Sequence, residues 1–415
     1  MKRIMLFFAF ASLAFVACQQ GNSISKEFPK VIEVSLKNNS SQNLEDAIIQ
    51  IPIEQLLKID KSFNPNACVA VANGQECASQ ISDVDGDDID DFLVVNVDLT
   101  KVQSLEVRFN PEGVNQREYI KRTQAELSCK TGGYFEDRKY IGGTFQNIDF
   151  LRVPDEHTDH SFYIRYEGPG WESDLVGYRF YLDWRNAIDI FGKKTNTMVL
   201  QDVGQDGFDS YHEPADWGQD ILKVGESLGI GTLGIWLGDK AQRVAITDSI
   251  ECWITVNGPV QSVIKTQYHG WEIKNKKYNL TSYLSISAGS RMTKHHVEIS
   301  PVPENLCTGI VKDKNARLLK SMNQDSEWQY LATYGLQSLA NDTLGMAVLY
   351  RSNDLIELTD DKESNVIVLK THGGELDYYF LAVWQQETPM SEEEFIGYLN
   401  DEIDALNNPV SISIQ

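Results

Sequence analysis

The chain has 415 residues, 42% of them hydrophobic, enough material for two domains with substantial cores. A formal net charge of −23 argues against a nucleic-acid partner, since phosphate binding wants basic stripes, and would leave an anionic glycan only a local basic patch. After the first residues nothing is apolar for long enough to span a bilayer as a helix.

Lys2 and Arg3 precede an apolar run from Ile4 to Val16, a secretory signal too short for a spanning helix. It ends Phe15-Val16-Ala17-Cys18, which resembles a bacterial lipobox with Phe at the position usually held by Leu. The expectation is a signal peptide over 1–17, a diacylated Cys18 and a polar tether over 18–30. The following Gln19-Gln20-Gly21-Asn22 has no aspartate directly after the cysteine and no acidic run of the surface-export kind. That favours a periplasm-facing anchor in the outer membrane, with the lipid as the sole membrane attachment.

Residues 31–39, 46–53, 91–99 and 104–111 alternate apolar and polar side chains at period two, as half-buried strands do. They predict a small antiparallel β-sandwich over 31–112. The turn into its third strand carries Asp83, Asp85, Asp87 and Asp91. Carboxylates spaced around a tight turn can converge on one hard cation such as calcium, and the sequence resembles the calcium loops between propeller strands. A solvated acidic turn is the alternative. Cys68 and Cys77 are close enough to pair across one loop, while Cys129, Cys252 and Cys307 show no metal spacing.

Asn110-Pro111-Glu112-Gly113 reads as a boundary, and 113–415 as a second, larger domain. A Gly- and aromatic-rich stretch follows, expected to wrap over a sheet, and then His157 and His160, which read as a possible metal pair or as ordinary loop histidines. In a strand over 178–185, Arg179, Tyr181, Asp183 and Arg185 fall on one face and Tyr178, Phe180, Leu182 and Trp184 on the other. Arg165, Tyr166, Glu167, Trp171 and Glu172 lie just before it. Arginine forks recognise carboxylates and sulfates, and tryptophan rings stack on sugars, so this face is expected to line a groove for a polar ligand.

Residues 202–239 gather Tyr211, His212, Glu213 and Asp216 within six residues, ahead of Lys223 and of glycines at 225, 229, 231, 234 and 238. So many proton-handling groups on Gly-rich backbone suggest the floor of a site. A short helix is expected over 214–224. The spacing Gly229-x-Gly231-x-x-Gly234 matches a dinucleotide fingerprint by accident, since the strand before and the helix after it are missing. From Val244 onward, strand-like segments recur at regular spacing and predict a large antiparallel β architecture. Ser391 to Leu406 is the exception, a helix with a Ser391-x-x-Glu394 capping box.

The blocks RYEGPGWESDLVGYRFYLDWRNAIDIFGKK (165–194) and DGFDSYHEPADWGQDILKVGESLGIG (206–231) resemble the DUF4861 family of exported bacterial proteins. The resemblance implies an all-β chain whose large domain is similar to the galactose-mutarotase-like β-supersandwich, and an association with polysaccharide utilisation. A supersandwich hosts hydrolases, lyases and epimerases, so the substrate class, an oligosaccharide, is as far as it reaches.

The expected activity is therefore glycan cleavage, with uronic acid in the substrate and no cofactor needed for the chemistry. In a lyase, Arg179 or Arg185 would neutralise a uronate while His212 or Tyr211 moved the proton. In a hydrolase, two carboxyls drawn from Glu213, Asp216, Glu172 and Asp183 would act as a pair. A non-catalytic glycan-binding lipoprotein is the alternative.

Overall fold

The alternation is realised as strands. In a computed structural model, which describes residues 23–114, 116–207, 210–323 and 325–415, Lys30–Lys37 buries Ile32, Val34 and Leu36 and turns the intervening residues outward. The 1–17 segment and Cys18 lie outside the described residues, as does Asp209 of the central stretch. Two compact units emerge. One holds the described residues up to Lys121 together with Asn408–Gln415, and the other holds Arg122–Asn407.

In the first unit, a five-stranded antiparallel sheet runs Ser411–Ile414, Lys30–Lys37, Val102–Phe109, Cys68–Ala72, Gln75–Cys77. A three-stranded sheet runs Leu44–Pro52, Phe92–Leu99, Ser79–Ser82. Their inner faces share one core, in which Ile32, Val34, Ile49, Ile51, Val95 and Val107 meet. The last strand of the chain belongs here, not to the second domain as expected. It pairs Ile414 with Val34 and Ser411 with Lys37, filling what would be an open sheet edge. The tether is likewise shorter than expected. Residues 23–27 are helical, Ile24 and Phe28 are buried with Val69 and Val71, and Arg117 holds Glu27 in a two-pronged ion pair.

Cys68 and Cys77 are both free. Register explains it: Cys77 lies opposite Ala70 and Cys68 opposite Phe109, so the two thiols are offset by two residues, about 7 Å along the sheet.

The second unit is a larger sandwich. A nine-stranded sheet, including Ser249–Asn257, Gln261–Ile273, Lys276–Ser287, Met292–Ser300 and Glu375–Trp384, supplies one layer. Two five-stranded sheets face it, one built from Thr123–Glu126, Gly170–Ser173, Val176–Phe180, Ile188–Lys193 and Gly218–Asp220. A single core runs between the layers, through Trp171, Tyr178, Ile190, Ile264, Leu284, Val297, Ile310, Ile367 and Phe380. The all-β expectation holds, and every strand ladder in this unit is antiparallel.

Local departures have local causes. Residues 128–147 form their own two-stranded ribbon, Ser128–Glu136 against Lys139–Asn147. The 214–224 helix does not form; a turn leads into the Gly218–Asp220 strand, which pairs with Ile188–Lys193. The glycines of 229–231 serve packing. A Cβ on Gly231 would lie 2.3 Å from the Phe380 ring and one on Gly229 2.1 Å from the Ile188 carbonyl, and both residues have positive φ. The late helix, Glu392–Asn407, is as expected: Ser391 and Glu394 cap each other, and Phe395, Leu399 and Ile403 pack onto Tyr330, Leu349 and Leu381. No helix among the described residues is long and apolar enough to cross a membrane.

Candidate functional site

Three neighbouring strands position the site. Arg179 lies directly opposite Asp189, and Asp220 opposite Phe191, two residues further along, so all three polar side chains project from one face. That face is the outer one. Trp171 and Tyr178, on the other side of the sheet, stack at 5.6 Å within the core. Arg179 is nevertheless buried, because Tyr166, Val199, Leu200, Val203 and Tyr211 close over Phe191 beside it.

The result is a continuous ionic network. Arg179 places one terminal nitrogen 2.9 Å from Asp189 Oδ2 and 2.7 Å from Asp220 Oδ2, and its other nitrogen 3.8 Å from Glu167 Oε2 and 3.0 Å from the Tyr211 hydroxyl. Its guanidinium lies over the rings of Tyr211, Tyr181 and Phe191 at 4.8, 5.0 and 5.4 Å. Glu167 leads on to Arg185 at 2.8 Å, and Arg185 also grips Asp183 at 2.5 Å and Asp159 at 2.8 Å. At the other end, Asp220 Oδ2 is 3.2 Å from Nδ1 of His212, whose side chain is 39% exposed. His212 and Arg185 thus belong to one constellation, with His212 on its open side.

Burial and neighbours set the protonation of this network. Burial alone would raise Glu167, but Arg185 and Arg179 outweigh it and hold the carboxyl down to about 2. Asp189 is pushed the other way, up to about 7, first by burial and then by the Asp220 carboxylate. Burial also raises the Tyr211 hydroxyl and lowers His157, to about 4.

The backbone is strained at the same place. His160, Phe162, Tyr166, Glu167 and Asn186 have φ of 55°, 60°, 39°, 70° and 36°, a region L-residues seldom occupy. Each such residue costs on the order of 1 kcal/mol or more and persists only where its surroundings enforce it.

Several expected ligand-binding residues prove structural. Trp171 is fully buried and donates to Thr293 Oγ1 at 2.9 Å, so its faces are closed to a sugar; the exposed tryptophan of this block is Trp184. Glu172 is sealed against Lys193 at 2.5 Å and accepts from the amides of Val199 and Leu200, which removes it from any acid–base pair. Asp183 is buried on Arg185. Arg165 is buried on Glu126 and the Gln201 carbonyl, with Tyr166 beside it. Neither Arg179 nor Arg185 has an uncommitted fork for a substrate carboxylate, because internal acids already hold both. Tyr211 is buried against Phe191 and Arg179, while His212, Glu213, Asp216 and Lys223 are exposed.

Glu167, expected beside Arg165 and Tyr166, does join the network, whereas Asp189 and Asp220 were not expected as site residues. A signal existed: lone aspartates within the otherwise apolar AIDIF and QDIL segments are expensive to bury without a partner.

Two groups could hold a cation. Asp159, His160 and Glu167 bring ligating atoms within 4.8 Å of one another, but Arg185 already lies on two of them and supplies the positive charge. In the first unit Asp83, Asp85 and Asp91 converge likewise. Asp87 does not join them; its carboxylate accepts from the Ile89 amide instead. Asp85 is raised by burial and then by Asp87 and Asp91, repulsion that a cation would relieve.

Fold and site together define an all-β protein whose large sandwich carries a buried acid–arginine network opening through one histidine. The sequence matches the model for the domain of unknown function DUF4861 over residues 36–412, so the chain belongs to that family. No curated protein matches it. Two solved structures from Enterococcus faecalis are similar in part, one described as a protein in glycosyl hydrolase family 38 and one as an alpha-mannosidase. Each is 10% identical, with TM-scores of 0.46 and 0.45. The likeness covers 93% of this chain and 47% and 46% of theirs, so the chain spans less than half their length.

Proposed function

We propose that the 122–407 unit is a carbohydrate-active enzyme that cleaves an oligosaccharide at the His212 opening of the network. The observation that carries this reading is His212 itself, an accessible imidazole whose Nδ1 is held 3.2 Å from the buried Asp220. A carboxylate on one ring nitrogen orients the other and stabilises the charge that develops when it takes a proton. Glu213 and Asp216, exposed a few residues on, are the carboxyls available as partners.

The expected preference for uronic acid weakens on this geometry. It rested on two arginine forks, and both are committed to internal acids. With Glu213 and Asp216 exposed a few residues from His212, this opening accepts a neutral sugar more readily than an anionic one. Export and lipidation at Cys18 remain our proposal for where the enzyme works, on the periplasmic side of the outer membrane.

The test is incubation of the exported chain with a panel of neutral and uronate-containing oligosaccharides. Product chain length and ultraviolet absorbance separate hydrolysis from elimination. Binding without product from any sugar would replace the enzyme with a glycan-binding protein.

A further inference from the structure

We propose that Asp189 is a positioning residue for His212, acting through Asp220 and Arg179. This goes beyond the role given to His212 above and rests on it for its catalytic meaning.

The geometry sets up a contest for one cation. Asp189 Oδ2 and Asp220 Oδ2 both lie on the same terminal nitrogen of Arg179, at 2.9 and 2.7 Å. All three side chains are at most 2% exposed, so water screens none of them. Two carboxylates and one guanidinium cannot all stay charged in such a place at low cost, and the simplest relief is a proton on one of the acids.

The surroundings choose which acid. Asp189 accepts from the Tyr181 hydroxyl at 2.8 Å and from the Ile190 amide at 2.9 Å, neutral donors that favour its anion, but among the described residues it meets no cation besides the shared Arg179. Asp220 accepts from the Leu222 amide at 3.2 Å and is the one of the pair in contact with His212. The other charged and titratable groups facing the pair are Tyr211 from the turn above, Glu167 on the far side of Arg179, and Arg185, which lies over the Tyr181 ring at 4.0 Å. None supplies a second cation to Asp189. Burial and the Asp220 charge push Asp189 to about 7, which agrees with its being the acid that holds the proton.

The consequence reaches His212. While Asp189 is neutral, Arg179 is left to Asp220 alone and the His212 side of that carboxylate is partly neutralised. Once Asp189 loses its proton it competes for Arg179, and Asp220 turns more of its charge towards the imidazole. Asp189 never touches the opening, yet its proton sets the charge His212 feels, and by reciprocity a charge on His212 bears on that proton.

The experiment follows the His212 Cε1–H resonance of the full exported chain, labelled at histidine Cε1 and assigned by loss of the signal in His212→Ala, from pH 5 to pH 9. The wild type is expected to give a two-step curve with one inflection near 7. Asp189→Asn, which keeps shape but cannot ionise, should lose that inflection and leave one step. Should Asp189→Asn fail to fold, Tyr181→Phe removes one hydroxyl that favours the Asp189 anion and should move the inflection to higher pH. A single-step wild-type curve, an unchanged two-step curve in Asp189→Asn, or an unmoved inflection in Tyr181→Phe would each overturn the proposal. The readout needs no turnover, so the coupling can stand even where no sugar is cleaved, and the two readings fail separately.

Discussion

Replacing Arg179 with methionine tests whether the ionic network is the structural heart of the candidate site. The substitution roughly keeps volume but leaves Asp189 and Asp220, each at most 2% exposed, without the cation both share. Breaking a buried pair by removing one partner costs about 3–5 kcal/mol, because an uncompensated charge stays behind. For a unit of this size each kcal/mol moves the melting temperature by about 2–4 °C, so a drop of about 10 °C is expected at pH 7.

The pH dependence carries a definite sign. A carboxyl whose folded pKa lies above its unfolded value of about 3.9 contributes stability that is present below the unfolded value and lost as pH rises through the folded one. Asp189 already sits at about 7 with Arg179 in place, and removing the cation pushes it further up. The penalty of Arg179→Met should therefore be smallest near pH 4 and grow towards pH 8. Melting curves followed by near-ultraviolet circular dichroism at both values measure it. A loss below about 1 kcal/mol, or one that does not change with pH, would mean that the network does not hold the fold here and that the charges are hydrated.

Four further outcomes are expected. His212→Ala should abolish turnover of any sugar found to be cleaved while leaving the melting temperature within about 2 °C, since an exposed ring contributes little packing; retained turnover would assign the chemistry elsewhere. Trp171→Ala should cost about 3–5 kcal/mol in chemical denaturation, whereas Trp184→Ala should stay within about 0.5 kcal/mol. Calcium at one hundred times its dissociation constant should stabilise the first unit by about 2.7 kcal/mol, with Asp85→Asn removing the effect, and a melting curve indifferent to chelator would leave the 83–91 loop an acidic turn. Cys18→Ser should release the protein from the membrane fraction, and a variant that still sediments with membrane would end the lipobox reading.

The strands of both units were legible because each needs only its own alternation. Met292–Ser300 is a case in point, since alternation along a strand makes adjacent His295 and His296 face opposite ways. His295 is buried between Ser282 and Tyr378, while His296 meets Asp377 at the surface. Leu306–Val311 and Trp328–Gly335, buried on both faces with Thr308, Gln329 and Thr333 among their buried residues, show no alternation to read. The face expected over 178–185 was read as polar and open, but the strand is Val176–Phe180. Tyr181, Asp183 and Arg185 therefore follow it in an irregular segment, and Arg179 alone of the four keeps the strand face, covered rather than open. Alternation tells which side chains share a face, but not what lies above it, and here the loop carrying Tyr211 does.

What the sequence by itself determined is the class of fold, the helix cap at Ser391 and the two blocks from which the site is made, since each depends on patterns a few residues long. Only the tertiary structure decided which polar groups in those blocks are partners and which are available. Arg179 meets Asp220 across 41 positions, Glu172 meets Lys193 across 21 and Trp171 meets Thr293 across 122. The physical reason is that charge and aromatic surface are properties of a residue, whereas desolvation is a property of everything packed around it, and in a sandwich those neighbours come from strands far apart in the chain.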